Sequence, residues 1–339
     1  MNKIESGILK GIGIVMMLFH HLFVLPKDTC LIDSLIMIGD VPAVHKLALI
    51  MSPVYIFLII SGYGYYKKFL TGDKPRITNL ISLYLKYWII LGCFIMLGLF
   101  IGKYDATIMD TKNLIGNLVG YNTSINREVW FLLPFVCLCM GVKWLLRMYN
   151  RYMWIFLALS ASIWFFSSYL LSYYYQSIIM VFLLRILYFI FPFLIGATLA
   201  KTRFFERVKN VNEAVRIVMP VMIILLFYIR IMFNGFPQLL FCMLLSIFVI
   251  LSVRPMWLDS VLFFLGKKST SLWFIHTFIC YYLFHDYIYA LKYPLLIFLG
   301  LISFSLILTY LFDYLHLICW RKLRDIYYCR YLKNSKQIL

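Results

Sequence analysis

Three ionisable side chains lie in the first apolar stretch of this 339-residue chain, in Leu9-Lys10-Gly11-Ile12-Gly13-Ile14-Val15-Met16-Met17-Leu18-Phe19-His20-His21. Imidazole moves protons near neutral pH better than any other side chain and serves as general base or nucleophile. An ionisable group inside a hydrocarbon layer is costly and marks function by default. Lys10 precedes His21 by eleven residues, about three helical turns at roughly 100° each residue, so the two side chains share one helix face within about 20°. His20 is rotated by roughly 80°. The rise of about 1.5 Å for each residue separates Lys10 from His21 by about 16 Å. If Lys10 marks one membrane boundary, His21 lies near the bilayer midplane. A long anionic donor along this line would meet Lys10 with its phosphates and His21 with its reactive end. A packed histidine bonded to a neighbouring carbonyl, with Lys10 reaching for headgroups, is the alternative reading of the same residues.

The elements that must position these groups are membrane helices. Hydrophobic residues make up 63% of the chain and charged residues 14%, where a soluble protein carries about 25% charged. The 30 Phe, 26 Tyr and 8 Trp suit lipid-facing surfaces and interfacial belts. The expected fold is all-α: a polytopic transmembrane bundle of about ten spans, near 8–25, 46–64, 80–102, 130–147, 152–170, 178–200, 216–233, 237–253, 270–290 and 293–316. The expected organisation is a transmembrane domain over 1–320 and a basic cytoplasmic tail over 321–339. The first segment continues as an ordinary span and shows no cleavage site.

A net charge of +18 invites a nucleic-acid reading, but its distribution argues against one. Lys67, Lys68, Lys74 and Arg76, then Arg147 and Arg151, then Lys201, Arg203, Arg207, Lys209 and Arg216, then Arg254, Lys267 and Lys268, occupy alternate loops. The opposite loops hold Lys27, Lys46, Lys103, Lys112, Arg127 and Lys292. Such asymmetry is the positive-inside pattern and places both termini in the cytoplasm. The expected location is a plasma (inner) membrane, with lipid as the surrounding partner and no nucleic acid. Two external segments, 26–45 and 103–129, are long enough to carry function. The eight cysteines show no metal-binding spacing, so neither a disulfide nor a metal is expected.

Helix 1, Ser61-Gly62-Tyr63 at the close of the second span, Trp130-Phe131-Leu132, and Gly266…Ser269…Phe274-Ile275-His276-Thr277 together resemble the acyltransferase-3 family of membrane acyltransferases. The resemblance extends over most of the chain. The family opens helix 1 with Arg-Gly-(Ile/Leu)-Ala and carries a catalytic histidine eleven residues after that arginine; Lys10 and His21 stand at those positions. The resemblance implies transfer of an acyl group, commonly acetyl from acetyl-CoA, to a carbohydrate hydroxyl on a cell-surface polysaccharide or a lipid-linked sugar. His21 would act as base or as acyl carrier. An Arg-x-x-Arg motif of the third span is replaced here by Asn79 and Ser82, with Arg76 one turn earlier and Lys86 one turn later as possible substitutes. Lys10, Arg76 and Asn79 are the expected acyl-CoA contacts.

Four further groups complete the expected site. Glu128, at the outer mouth of span four, would orient His21 or receive the acceptor hydroxyl, the alternative being a loop ion pair with Arg127. Trp130 would pack on a sugar face or anchor at the interface. His276 lies nine residues beyond Lys267, about 13 Å along a helix, at a depth like that of His21, and would line the same cavity or pack. His20 would serve as a neighbouring substrate contact. Arg185 inside span six should face a cavity or a carboxylate, with Asp286 and Asp313 as candidates. His285 and Asp286 form a base–orienter pair at the outer surface. The rival reading is a transporter or flippase of a lipid-linked sugar, with Pro192 and Gly196 as a helix break in span six; an inactive scaffold is a third.

Overall fold

The structure is a computed structural model that describes residues 1–73, 77–174, 177–208, 212–233 and 235–335, with side chains described for all of these but 29, 106 and 326–335. It is an all-α polytopic bundle. In chain order the helices are α1 (Lys3–Phe23), α2 (Pro26–Thr29), α3 (Ala43–Ile50), α4 (Val54–Leu70), α5 (Ile77–Phe100), α6 (Thr111–Val119), α7 (Leu132–Arg151), α8 (Met153–Tyr173), α9 (Ile178–Lys201), α10 (Phe204–Val208), α11 (Glu213–Met232), α12 (Gln238–Leu251), α13 (Met256–Thr277), α14 (His285–Tyr289) and α15 (Pro294–Ser335). Met37–Ile38 and Val41–Pro42 form a two-residue hairpin, β1 and β2, between α2 and α3.

α1 starts cleanly because Asn2 and Glu5 form a reciprocal capping box over its first turn. It is the most enclosed of the long helices: 67% of its apolar window is buried, against 6% for α11. What lets it sit so deep is a stripe of glycine. A Cβ on Gly11 would collide with the Leu262 carbonyl, and a Cβ on Gly266 with that of Gly7. The α1 and α13 backbones therefore touch, an arrangement small-xxx-small spacing permits in membranes. α4 and α9 cross in the same way, since Gly62 has no room for a Cβ beside Phe193 and Gly196 none beside Ile59.

Eight helical segments among the described residues are long and apolar enough to cross a membrane. Two of the ten expected spans differ. α12, with 14 residues, is about 21 Å long, short of a hydrocarbon core of about 30 Å. The span expected at 270–290 instead begins at Met256, behind Pro255. Lys267 and Lys268, expected in a loop, lie within α13. Lys268 pairs with Asp313 of α15 at 2.8 Å, and Lys267 sits over the Phe263 ring. Lys86 of α5 also holds Asp313 at 2.8 Å, and Ser271 donates to the same carboxylate at 2.7 Å. Partners on neighbouring helices make these charges tolerable between helices.

The helix break also lies elsewhere than expected. α9 runs unbroken through Pro192 and Gly196. The span expected at 46–64 is the interrupted one: α3 ends at Ile50 and α4 begins at Val54, with Met51-Ser52-Pro53 between. Pro53 lacks the N–H that would continue the helix. The freed carbonyls find side-chain donors instead, Gln238 Nε2 bonding Ile50 O at 3.0 Å and Ser52 O at 2.7 Å. At the other end of the chain α15 continues past residue 320 to Ser335. The seven cysteines whose side chains are described are free thiols.

The glycine contact between α1 and α13 makes Gly266→Ala destabilising by about 1–3 kcal/mol, as expected of an over-packed core. Gly141→Ala, where a Cβ meets open space, should change stability by no more than about 1 kcal/mol, in the favourable direction. Thermal unfolding of the detergent-solubilised variants measures both; equal midpoints for the two would contradict the close crossing.

Candidate active site

His21 lies on the enclosed part of α1, with only 9% of its surface exposed. The segment that follows α13 reaches it. At Phe278–Tyr282 the helix widens into one π turn, closed by Leu283 N–H bonding Phe278 O at 2.8 Å. Such turns recur at functional sites because they redirect a side chain without ending the helix. Here the redirected residue is Tyr281. Its hydroxyl donates to the His21 carbonyl at 2.5 Å and lies 3.2 Å from His21 Nδ1. A phenol has one proton, and that proton goes to the carbonyl. Where the 3.2 Å contact is a hydrogen bond, Nδ1 supplies its hydrogen and Nε2 is the nitrogen that takes up a proton, giving an imidazolium that the carboxylate opposite it would pair with.

Nε2 faces Glu128 Oε2 at 3.4 Å. Glu128 belongs to a 3-10 turn, Arg127–Phe131, that leads into α7. A polar scaffold fixes that turn. Asn126, 1% exposed, caps it by accepting from the Glu128 N–H at 3.2 Å. Its side chain also accepts from Thr277 Oγ1 at 3.0 Å and donates to Phe274 O at 3.3 Å, both on α13. Trp273 Nε1 bonds the Glu128 carbonyl at 3.1 Å. Further out, Asn113, Asn117, Asn122 and Ser124 bond one another. Tyr87, Trp88 and Tyr84 of α5 donate to the successive carbonyls of Asn117, Leu118 and Val119, which the end of α6 leaves without helical partners. The segment 103–129 is thus folded against the bundle.

Two cavities meet at His21. The first, about 320 Å³, extends from His20, His21 and Glu128 to Lys10 and includes Ser52, Ser61, Ser269, Trp130 and Trp273 on its wall. The second, about 480 Å³, starts from His20, His21 and Glu128 and runs the other way, past Tyr281 to Lys27, Arg127 and His285. Along α1 the order is Lys10, His21, Val24, so the cavities flank the histidine from opposite ends. Ionisable groups converging on a concave site are the usual mark of reactive chemistry. Among the described residues no group of side chains suits a metal ion.

The expected residues fall into three sets. Lys10, His20, His21, Glu128 and Trp130 line the first cavity together. His20 bonds the Ala48 carbonyl through Nδ1 at 2.7 Å, next to the α3–α4 break. His276 is close to His21, 5.1 Å between ring centroids, but it is fully buried and lines neither cavity. Its Nδ1 donates to Trp273 O at 2.8 Å, and Nε2 has no hydrogen-bond partner among the described residues. Asn79 is exposed on α5 and lines neither cavity, one turn before Leu83, which lines the first. Lys86, the other candidate for donor phosphates, is engaged by Asp313. Arg76 lies outside the described residues.

Arg185 faces a cavity, one of its two expected surroundings, and not the carboxylates expected as candidates. Its guanidinium stacks 4.5 Å over the Trp130 ring and lines a third, smaller cavity with Tyr121 and Asn122; Asp286 and Asp313 are bonded elsewhere. His285 bridges two carboxylates, Asp28 at 3.2 Å and Asp286 at 3.0 Å. The His285 hydrogen bond and then the nearby Lys103 ammonium hold Asp286 below the usual carboxylate range. Sequence reasoning does not reach Tyr281 or Asn126. A tyrosine between Cys280 and Tyr282 reads as an aromatic filler, and only the π turn aims it. Asn126 carries one faint sequence signal, a capping residue directly before Arg127-Glu128.

Tyr281→Phe removes the acceptor for Nδ1–H and should convert His21 from one tautomer to a mixture. Histidine ¹⁵N spectra of the full-length protein would show this; an unchanged His21 signal would refute the tautomer assignment. Comparison with known proteins agrees with the architecture. A family model described as an acyltransferase domain matches residues 5–314, and no curated protein or solved structure matches the chain. The match covers nearly the whole chain, and the protein belongs to the acyltransferase-3 family, as a membrane acyltransferase.

Proposed function

We propose that this protein takes an acyl group, acetyl in the simplest case, from cytoplasmic acyl-CoA and passes it to a hydroxyl of a cell-surface or lipid-linked carbohydrate. The observation that carries the reading is the meeting of two cavities at the His21–Glu128 pair. Donor and acceptor then approach one base from opposite ends. The cavity leading to Lys10 takes acyl-CoA, with the Lys10 ammonium toward its phosphates and the thioester toward His21. The cavity beyond His21 takes the acceptor. The concentration of Lys and Arg in alternate loops supports a plasma (inner) membrane setting with both termini, and the donor, on the cytoplasmic side.

The tautomer decides the chemistry. His21 Nε2 accepts the proton of the acceptor hydroxyl as its oxygen attacks the thioester carbonyl carbon. The carbon–sulfur bond breaks, and the proton on Nε2 passes to the leaving thiolate. Glu128 Oε2 stabilises the imidazolium while it exists, as a carboxylate does beside a working histidine. The enclosed site limits attack on the thioester by bulk water. Arg76 and Asn79 are the residues of the third span that the family spacing offers for coenzyme A phosphates. Asn79 is exposed one turn before Leu83, which lines the cavity, and in this reading Lys10 meets the donor phosphates from the cavity wall itself. Trp130, His20 and His276 complete the substrate surroundings, the first two on the cavity wall and His276 behind His21.

His21→Ala should lower acyl transfer from radiolabelled acetyl-CoA by about 10²–10⁴-fold, the range a positioned base supplies, with the protein still folded in the membrane. Full activity in that variant would end the assignment. Lys10→Ala should raise KM for acetyl-CoA by about tenfold, the loss of one charge-assisted contact, and leave kcat near its original value. A fall in kcat alone would place Lys10 outside the donor path.

A further inference from the structure

The outer cavity carries charge that the chemistry above does not use. Its wall holds three charged side chains, Glu128, Lys27 and Arg127, and one histidine besides the central pair, His285. Glu128 faces His21. His285 is matched by Asp28 and Asp286. Lys27 and Arg127 are exposed and form no ion pair among the described residues.

These two cations come from separate elements. Lys27 lies in α2, directly after the chain leaves α1, and Arg127 opens the 3-10 turn before α7. The scaffold around Asn126 holds the Arg127 backbone, whose N–H bonds the Tyr282 hydroxyl at 3.0 Å, while the guanidinium lines the cavity within electrostatic reach of Glu128. The placement is also selective. The loops at this end of the bundle are poor in basic residues: they hold Lys27, Lys46, Lys103, Lys112, Arg127 and Lys292, with Arg185 and Arg230 in nearby helix turns. Two of the six loop cations converge on the outer cavity, and Lys103 is used by Asp286. A volume of about 480 Å³ falls within the range of small-molecule sites, roughly 300–1,000 Å³.

We propose that the outer cavity selects an acceptor that bears an oxyanion, a carboxylate or a phosphate, and that Lys27 and Arg127 hold it while the neighbouring hydroxyl reaches His21. This rests on the acyl-transfer reading for its biological meaning. The binding itself is independent of it. The oxyanion has two sources in carbohydrate chemistry: the carboxylate of a uronic acid, or the phosphate that links a sugar to a lipid. Both present oxygens that an ammonium and a guanidinium bind with charge-assisted hydrogen bonds. The pocket is partly shielded from solvent, so the attraction is stronger than at an open surface and still sensitive to salt.

The test uses the full-length protein in vesicles of phosphatidylcholine alone, which excludes anionic headgroups as competitors. One arm compares a glucuronate–N-acetylglucosamine tetrasaccharide with the same tetrasaccharide reduced to glucose. The other compares undecaprenyl-phosphate-linked glucose with undecaprenyl glucoside. At least one acidic probe should bind about tenfold or more tightly than its neutral counterpart, and the arm that shows it names the source. Lys27→Ala and Arg127→Gln should each remove the preference, Arg127→Lys should retain part of it, and added sodium chloride should weaken it. Equal binding of acidic and neutral probes in both arms would overturn the proposal, as would a preference that survives both substitutions. Transfer of radiolabelled acetyl from acetyl-CoA to each probe is measured in parallel, on the unaltered protein and on His21→Ala. His21-dependent transfer with no acidic preference refutes the oxyanion site alone. An acidic preference with no transfer to any probe refutes acyl transfer to these acceptors and leaves the site standing.

Discussion

The structure depends on the contact between the α1 and α13 backbones. Helices in lipid gain little from burying apolar surface, because the surrounding chains are equally apolar; close packing has to hold them. Gly11 and Gly266 supply it by leaving no side chain between the two backbones, and Gly7 makes room for the Phe263 ring. The consequence reaches well beyond the contact. α13 ends beside the far end of α1, and the π turn that follows can press Tyr281 onto His21. Without that approach the histidine would lack the hydroxyl that sets its tautomer, and Asn126 would lack its partners on α13.

Polar backbone inside the bundle is managed by the same economy of close neighbours. The break at Met51-Ser52-Pro53 frees carbonyls at a depth where water is scarce, and Gln238 and His20 satisfy them. Irregular backbone at membrane depth is tolerated only where protein or a cavity meets it, and here it meets both, since Ser52 and Pro53 also line the first cavity. The segment 103–129 follows the same rule. Its asparagines bond each other and the α5 aromatics cover its helix end, so the carboxylate of Glu128 arrives on a rigid support. A flexible loop would not hold Oε2 opposite Nε2.

Much of the fold is legible in the chain because the hydrocarbon layer imposes a length and a hydropathy on every crossing helix. Eight of the ten expected spans correspond to long apolar helices, with boundaries within a few residues for most. The exceptions have a common cause. α13 carries Lys267 and Lys268, which read as loop residues when their partners are unknown; Asp313, 45 residues beyond Lys268, is what allows them into a helix. The α12 helix is too short to read as a full crossing, and Pro53 interrupts a span that hydropathy alone runs together. The site is legible in a similar measure. Lys10 and His21 share a face by helical geometry, and that geometry survives in the first cavity. Asn79, chosen by spacing to a family motif, is exposed one turn short of Leu83 and does not line that cavity, because spacing along a chain does not say where a cavity ends.

The sequence by itself determined that this is a membrane bundle, which end carries its basic residues, and which histidine stands in line with Lys10. Those are properties of single segments: composition, periodicity and rise. The tertiary structure alone decided which partner each nitrogen of His21 meets, which carboxylate faces it, and that two cavities rather than one meet there. Each of these needs atoms from distant segments, His21 with Tyr281 and Glu128, Asn126 with Thr277, within hydrogen-bond range or close to it. Hydrogen bonds demand position to within a few tenths of an ångström, and that precision exists only once the helices are packed.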